Sequence, residues 1–337
     1  MVLTFGEVLL RLTPPELQRI KQAHSFQIDF GGAEANTAVS LAQFGIPVKH
    51  ITKLPNHEIG LSCKSELMKY GVDTSGIVMD ESNHARMGLY FYEKGASQRP
   101  SQVIYDRADS SIAKAQETDF NWDVILNGVS WFHFTGITPA ISDNLSNILL
   151  TALQKAKEKG ITISCDLNYR AKLWSKEKAK EVMTSYMPYI DILFANTGSI
   201  YDVFSIGTAY YGKSDDVETA IAVAKQVKDT FETKVIAMTM RKTISASVNE
   251  WSALLYDGNC YIAKKYKMDI VDRIGGGDSF AAGYIYSAYK KYTMQQTVEF
   301  ATAASCLKHS IQGDFNLVSV EEVMALVNGD GNGNIKR

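Results

Sequence analysis

No apolar run in this 337-residue sequence approaches the roughly 18 residues that would suggest a membrane span. Cysteine is sparse as well. Cys63, Cys165, Cys260 and Cys306 stand far apart with no C-x-x-C pair, which argues against both a zinc site and a disulfide scaffold. Neither sign of charge dominates: a formal net charge of −2 gives no general pull toward nucleic acid or an anionic membrane, so any bound anion must be captured by a local cluster. The N-terminal MVLTFGEVLLRLTPPEL lacks the basic head, uninterrupted apolar stretch and small-residue cleavage site of a secretory signal. A reduced, cytoplasmic protein is the expectation, with Cys165 in a strand and Cys306 in a helix as small core side chains. Two phosphate-binding patterns are also missing. No G-x-x-x-x-G-K-[ST] can be written, and no G-x-G-x-x-G follows the first strand, which disfavours a dinucleotide-dependent oxidoreductase.

What is present is an ordinary globular composition, with 45% hydrophobic and 21% charged residues. Strand-like apolar runs alternate with helical patterns, the arrangement of a parallel sheet covered by helices on both faces. Helices are expected at about 36–44, 58–70, 142–159, 176–187, 216–230, 278–291, 294–310 and 319–327, with Gly71 closing the second in a left-handed conformation. Four strands hand over to polar residues at their C-terminal ends. They are 129–134 into Thr135-Gly136, 161–165 into Asp166, Asn168 and Arg170, 191–195 into Asn196, and 234–238 into Thr239 and Arg241. In open α/β sheets that edge is where ligands bind. Residues 11–33 and 85–107 break the pattern: they are aromatic-rich and alternating, and read as antiparallel strands of a small lid. Alternation puts Leu89 and Phe91 on one face of it, Tyr90 and Tyr92 on the other. The core is thus 1–10, 34–84 and 108–327, the lid 11–33 and 85–107, and the tail 328–337 is expected to be disordered.

Two glycine-led turns carry the candidate chemistry. In DRIGGGDSFAAG (272–283), Gly275, Gly276 and Gly277 precede Asp278 and a small-residue helix. Helix-start N–H groups have no intrahelical partner, and glycines let a phosphate approach them. In FGGAEANTAVSLAQFG (30–45), Gly31-Gly32 opens a turn ahead of Asn36. Taken alone, the first turn reads better as a capped helix with Asp278 as its N-cap, and the second also reads as a helix capped by Asn36.

Together, and in this order, the two turns resemble the paired signatures of the ribokinase-like (PfkB) sugar kinases. FTGITPAIS (134–142), DLNYRAKLW (166–174) and KHSIQGDFN (308–316) resemble 2-keto-3-deoxygluconate kinases in particular. The resemblance implies a three-layer α/β/α fold with a mostly parallel sheet and a small β-strand lid. It further implies transfer of the ATP γ-phosphate to the terminal hydroxyl of 2-keto-3-deoxygluconate, giving the 6-phosphate. By it, Asp278 is the general base, and the amides of Gly275, Gly276 and Gly277 stabilise the moving phosphoryl group. Gly32, Asn36, Tyr90, Tyr105, Arg107, Ile137 and Arg170 hold the sugar acid, the arginines being suited to its carboxylate. Asn168, Asn196, Thr239, Arg241, Gly275, Gly277, Ala304 and Ser305 line the nucleotide. Mg²⁺ accompanies ATP, and a monovalent cation is left open. No protein metal ligand, nucleic-acid partner or membrane contact is expected. A homodimer through the lid strands is expected, with higher assembly open, because a free flap is a poor edge.

The sequence departs from the family pattern in three places. Arg273 stands where Thr is usual, Ser199 where the N-x-x-E motif has its Glu, and Arg241 where Gly is common. The missing Glu keeps open a non-catalytic sugar sensor, and the family as a whole keeps open a kinase of a neutral sugar such as fructose or ribose.

Overall fold

Short strands with side chains buried on both faces build the centre of the protein, whose computed structural model describes residues 1–207, 209 and 216–329. The first half contributes β1 (Val2–Phe5), β2 (Leu9–Thr13), β3 (Gln27–Gly31), β4 (Val48–Ile51), β5 (Lys53–Pro55), β6 (Val78–Asp80), β7 (Leu89–Glu93) and β8 (Gln102–Asp106). The second adds β9 (Trp131–Thr135), β10 (Thr162–Asp166), β11 (Ile192–Ala195), β12 (Val235–Thr243), β13 (Val248–Tyr256), β14 (Cys260–Ile262) and β15 (Tyr266–Asp269). The main sheet runs β14-β13-β12-β11-β10-β9-β1-β4, with β15 also on β13. It is parallel from β4 to β12 and antiparallel around β13.

Helices cover both faces. They are α1 (Ala33–Gln43), α2 (Glu58–Lys69), α3 (Trp122–Ile125), α4 (Ile137–Ile141), α5 (Asp143–Glu158), α6 (Lys176–Tyr186), α7 (Thr197–Phe204), α8 (Val217–Phe231), α9 (Gly276–Tyr289), α10 (Met294–Lys308) and α11 (Val320–Val327). The eight expected helices all form, and Gly71 ends α2 with a φ of 87°. The short α3, α4 and α7 were not anticipated, because one or two turns are too few to show a helical period. Two cores flank the sheet, as a parallel sheet requires. Phe132, Phe134, Ile163 and Cys165 pack with Leu149, Leu153 and Met183 on one face. Trp131, Phe194 and Ala237 pack with Val39, Phe280 and Phe300 on the other. On that second face α9 and α10 touch so closely that a Cβ on Gly283 would lie 2.7 Å from the Ala301 Cα. That contact explains the small residues in both helices.

The small sheet has the order β3-β2-β7-β8. Its outer pairs are antiparallel, but β2 and β7 pair in parallel, which alternation could not reveal. It also takes in Leu9 and Leu10, which lie outside the 11–33 stretch. Tyr90 and Tyr92 are buried, while Ile28, Leu12, Phe91 and Ile104 form one row across the opposite face, with Ile28 61% and Ile104 52% exposed. Cys165 is buried in β10 and Cys306 half-buried in α10. Of the tail, Asn328 caps α11, and residues 330–337 lie outside the described residues.

Candidate active site

Register aligns the C-terminal ends of the parallel strands: Thr135 pairs with Asp166, and Ala195 with Met238. Above this edge, under the small sheet, lies a cleft of about 560 Å³. Its walls include nearly every residue the sequence singles out: Gly32, Asn36, Tyr90, Tyr105, Arg107, Ile137 and Arg170 toward one end, and Asn168, Asn196, Thr239 and Arg241 toward the other, with Gly275–Asp278 between them. Ala304 and Ser305 are the exception. Both are fully buried in α10, and Ser305 Oγ donates to the Gly276 carbonyl at 2.7 Å, so they brace the glycine turn from behind and do not face the cleft.

The glycine turn is shaped by its neighbours. Gly275 caps α9 with φ 86°, and a Cβ on it would meet the Asp314 carbonyl oxygen at 2.2 Å. A Cβ on Gly276 would strike the His309 ring at 2.4 Å, whereas one on Gly277 would find only Asp166 Oδ2 at 3.6 Å. Gly277 therefore has space on its cleft side. The first N–H groups of α9 have no intrahelical acceptor and sit at the positive end of its dipole.

Asp278 is the third residue of α9 and not its cap. Its carboxylate accepts from Asn36 Nδ2 at 2.7 Å, and Asn36 Oδ1 accepts from the Gly32 N–H at 3.3 Å. Asn36 is likewise not a cap; Gly32 caps α1 and Asn36 joins the two turns. Burial, reinforced by Asp166, Asp314 and Glu34, pushes the Asp278 carboxyl up to about 8, against the opposing Asn36 bond. Asp166 is pushed up to about 6, also by burial, while the Asn168 N–H and Arg170 hold it down. Asn168 presents that N–H from a left-handed φ of 33°, a conformation asparagine tolerates.

Behind the turn lies a charge cluster the sequence reading missed. Arg11, fully buried in β2, donates to Asp272 Oδ2 at 2.5 Å and to Asp314 Oδ1 at 2.6 Å, and stacks over Tyr92. The Tyr90 hydroxyl donates to Asp314 at 2.7 Å. A single arginine among the leucines of VLLRLT was the available signal.

Toward the end beside β8, Arg107 is already paired: its Nε donates to Glu7 Oε2 at 2.8 Å, and Ser110 Oγ donates to Glu7 Oε1 at 2.6 Å. Arg170 is exposed on the cleft wall and forms no ion pair among the described residues. The buried Glu34 accepts from the Thr135 N–H and from the Thr135 and Thr138 hydroxyls at 2.7–2.9 Å, fixing the turn that starts α4 at Ile137. Burial pushes its carboxyl up.

At the other end, Thr239, Arg241 and Thr243 line the cleft from one face of β12, which continues past 238 because β13 pairs with it. Asn196 caps α7, accepting from the Ser199 N–H at 2.9 Å, while Ser199 Oγ accepts from the Asn196 N–H at 3.1 Å. Ser199 thus closes a capping box where the family pattern has Glu. Arg273 donates to the Ser245 carbonyl at 2.8 Å and the Ala246 carbonyl at 2.6 Å. It ties the β12–β13 loop to the segment leading into α9. Among the described residues no group of three or more His, Cys, Asp or Glu is arranged to hold a metal ion.

Known proteins match along nearly the whole chain. The family model for pfkB family carbohydrate kinase matches residues 1–316. The chain belongs to the pfkB family of carbohydrate kinases. Among solved structures of similar proteins is the 2-dehydro-3-deoxygluconokinase of Thermotoga maritima, 46% identical, with a TM-score of 0.94 over 97% of this chain and 99% of that one. A 2-dehydro-3-deoxygalactonokinase of Haloferax volcanii is 31% identical over 97% of this chain and 96% of its own. A 5-dehydro-2-deoxygluconokinase of Shouchella clausii is 25% identical over 97% and 95%. As a pfkB kinase, the protein carries the ribokinase-like fold that the two glycine turns implied, including its small separate sheet.

Proposed function

We propose that the protein transfers the γ-phosphate of MgATP to the terminal hydroxyl of 2-keto-3-deoxygluconate or its close keto-acid epimer. The carrying observation is Asp278: a buried carboxyl raised to about 8, set beside three glycines at a helix start and held by Asn36. Asp278 takes the proton of the attacking hydroxyl, and the amides of the turn hold the phosphoryl oxygens. Positioning and fixed donors are what phosphoryl transfer needs from a protein. Arg170, exposed on the cleft wall and in no ion pair among the described residues, supplies the charge for the sugar carboxylate, while Arg107 is oriented by Glu7 beside Tyr105. Asn168, Asn196, Thr239 and Arg241 face the nucleotide. Magnesium would arrive on the ATP phosphates, keeping several of its waters, as is usual for this ion at phosphate sites.

The relatives differ in the keto sugar they are named for, so the sugar is the point to test. ADP release measured across the gluco and galacto keto acids, fructose and ribose should favour a keto acid in kcat/KM. A neutral sugar that outcompetes both overturns the substrate, and no ADP release with any sugar returns the sensor reading.

A homodimer through the small sheet belongs to the same reading. The exposed apolar row from Ile28 to Ile104 and the free edges of β3 and β8 support it. A cytoplasmic location follows from the same reading of the cysteines.

A further inference from the structure

Lys308 is the last residue of α10 and is fully buried directly behind the glycine turn. Its Cε lies 3.1 Å from where a Gly275 Cβ would stand, and its ammonium donates to the Ile311 carbonyl at 3.0 Å. The substrate-binding and proton-transfer roles above make no use of it. Yet burying a lysine charge without a close carboxylate is costly. Something around it must favour the charge.

The surrounding charge count supplies the reason. Arg11 carries one positive charge and pairs with two carboxylates, Asp272 and Asp314. Burial pushes the Asp314 carboxyl up while Arg11 and the Tyr90 hydroxyl hold it down, and with both carboxylates ionised the cluster carries one excess negative charge immediately behind a turn built to receive an anion. Burial pushes the Lys308 ammonium below the ordinary lysine range and Arg11 adds to this, while Asp272, Asp314 and Asp278 hold its charged form in place.

We propose that Lys308 is a positioning residue: its buried ammonium cancels the excess charge of the Arg11–Asp272–Asp314 cluster, keeping the glycine turn attractive to the transferring phosphoryl group. The inference rests on the kinase reading and extends it to a residue that touches neither substrate. His309 and Ser305 complete the brace mechanically. The His309 carbonyl accepts from the Val271 and Asp272 N–H groups, and Ser305 holds the Gly276 carbonyl.

The charges facing Asp278 are Asp166 from β10, Glu34 from α1, Asp314 from the segment after α10, and Lys308 from α10. Removing the only cation of that set makes Asp278 harder to ionise.

Lys308→Met, which keeps the stem and removes the charge, should lower kcat about 10- to 100-fold, less than the 10²–10³ lost with a direct donor. The KM for the sugar should stay within a factor of about two, and the rising limb of kcat/KM should move to higher pH. In Lys308→Ala, ethylammonium should restore part of kcat and tetramethylammonium, too large for the space, should not. If Lys308→Met does not fold, Lys308→Ala prepared in ethylammonium decides by the same comparison. A folded Lys308→Met with wild-type kcat and pH limb overturns the proposal. So does a loss in Lys308→Ala that the two cations affect equally. Wild-type turnover of the keto acid is measured first: its absence counts against the kinase reading, whereas turnover with no effect of Lys308 counts against this inference alone.

Discussion

The Asn36 amide donates to the Asp278 carboxylate over 2.7 Å, joining residues 242 positions apart and bringing the two glycine turns to one point. The bond works against burial, which raises the Asp278 carboxyl. Asn36→Ala should therefore move the rising limb of kcat/KM to higher pH and lower the rate at neutral pH by about tenfold, the cost of one charge-assisted hydrogen bond of about 1.5 kcal/mol. An unchanged pH profile would show that Asn36 does not set the ionisation of Asp278.

For the wild type, kcat/KM should rise with pH through a value near 8, well above ordinary carboxylates, because Asp278 must be ionised to accept a proton. Asp278→Asn should abolish this limb and lower kcat by about 10²–10⁴, the usual contribution of a general base, while ATP and sugar still bind by calorimetry.

The same ionisation has a consequence for stability. Below about pH 4 the carboxyl is protonated in folded and unfolded chains alike, so it costs nothing. Between there and about 8 the folded state binds the extra proton, so stability falls as pH rises through this window. Thermal denaturation should find Asp278→Asn more stable than wild type by a few degrees at pH 8 and no different at pH 4. A gain equal at both pH values would point to packing instead.

The glycines should separate fold from chemistry. Gly275→Ala must adopt a left-handed φ and displace the Asp314 carbonyl, so it should lose both stability and activity. Gly277→Ala meets no neighbour closer than 3.6 Å, so its melting temperature should stay near wild type while the methyl group, entering the cleft, lowers kcat. Circular dichroism melts beside turnover measurements make the comparison.

Much of this was legible from local sequence. Asp278 and its glycines are contiguous, and the strand-to-polar transitions at Thr135, Asp166 and Asn196 mark the sheet edge whatever the tertiary detail. What stayed hidden depends on contacts distant in sequence. Arg11 meets Asp314 across 303 positions and Arg107 meets Glu7 across 100, so neither pair follows from periodicity. Asp278 and Asn36 were misread as caps because capping preference is read at a turn, whereas each helix begins earlier, at a glycine. Arg273 stood out only as a departure from the family's Thr, and its guanidinium is spent on carbonyls of a loop that only the β12–β13 pairing brings near.

Arg170 and Arg107 should behave differently. Arg170→Ala, on the surface of the cleft, should raise the KM for the keto acid by about 10- to 100-fold, the equivalent of a charge-assisted hydrogen bond of 1.5–3 kcal/mol, with little change in stability. Arg107→Ala also strands the buried Glu7, so it should lower the melting temperature as well as the affinity.

The central claim is that this cleft phosphorylates a sugar acid on its terminal hydroxyl with Asp278 as base. Phosphorus NMR of the product from 2-keto-3-deoxygluconate and MgATP, run beside Asp278→Asn, tests it most directly. The account predicts a phosphate monoester coupled to the two protons of the terminal carbon, formed by wild type and not by the variant. A phosphate on another carbon, or the same product at the same rate from Asp278→Asn, would contradict it.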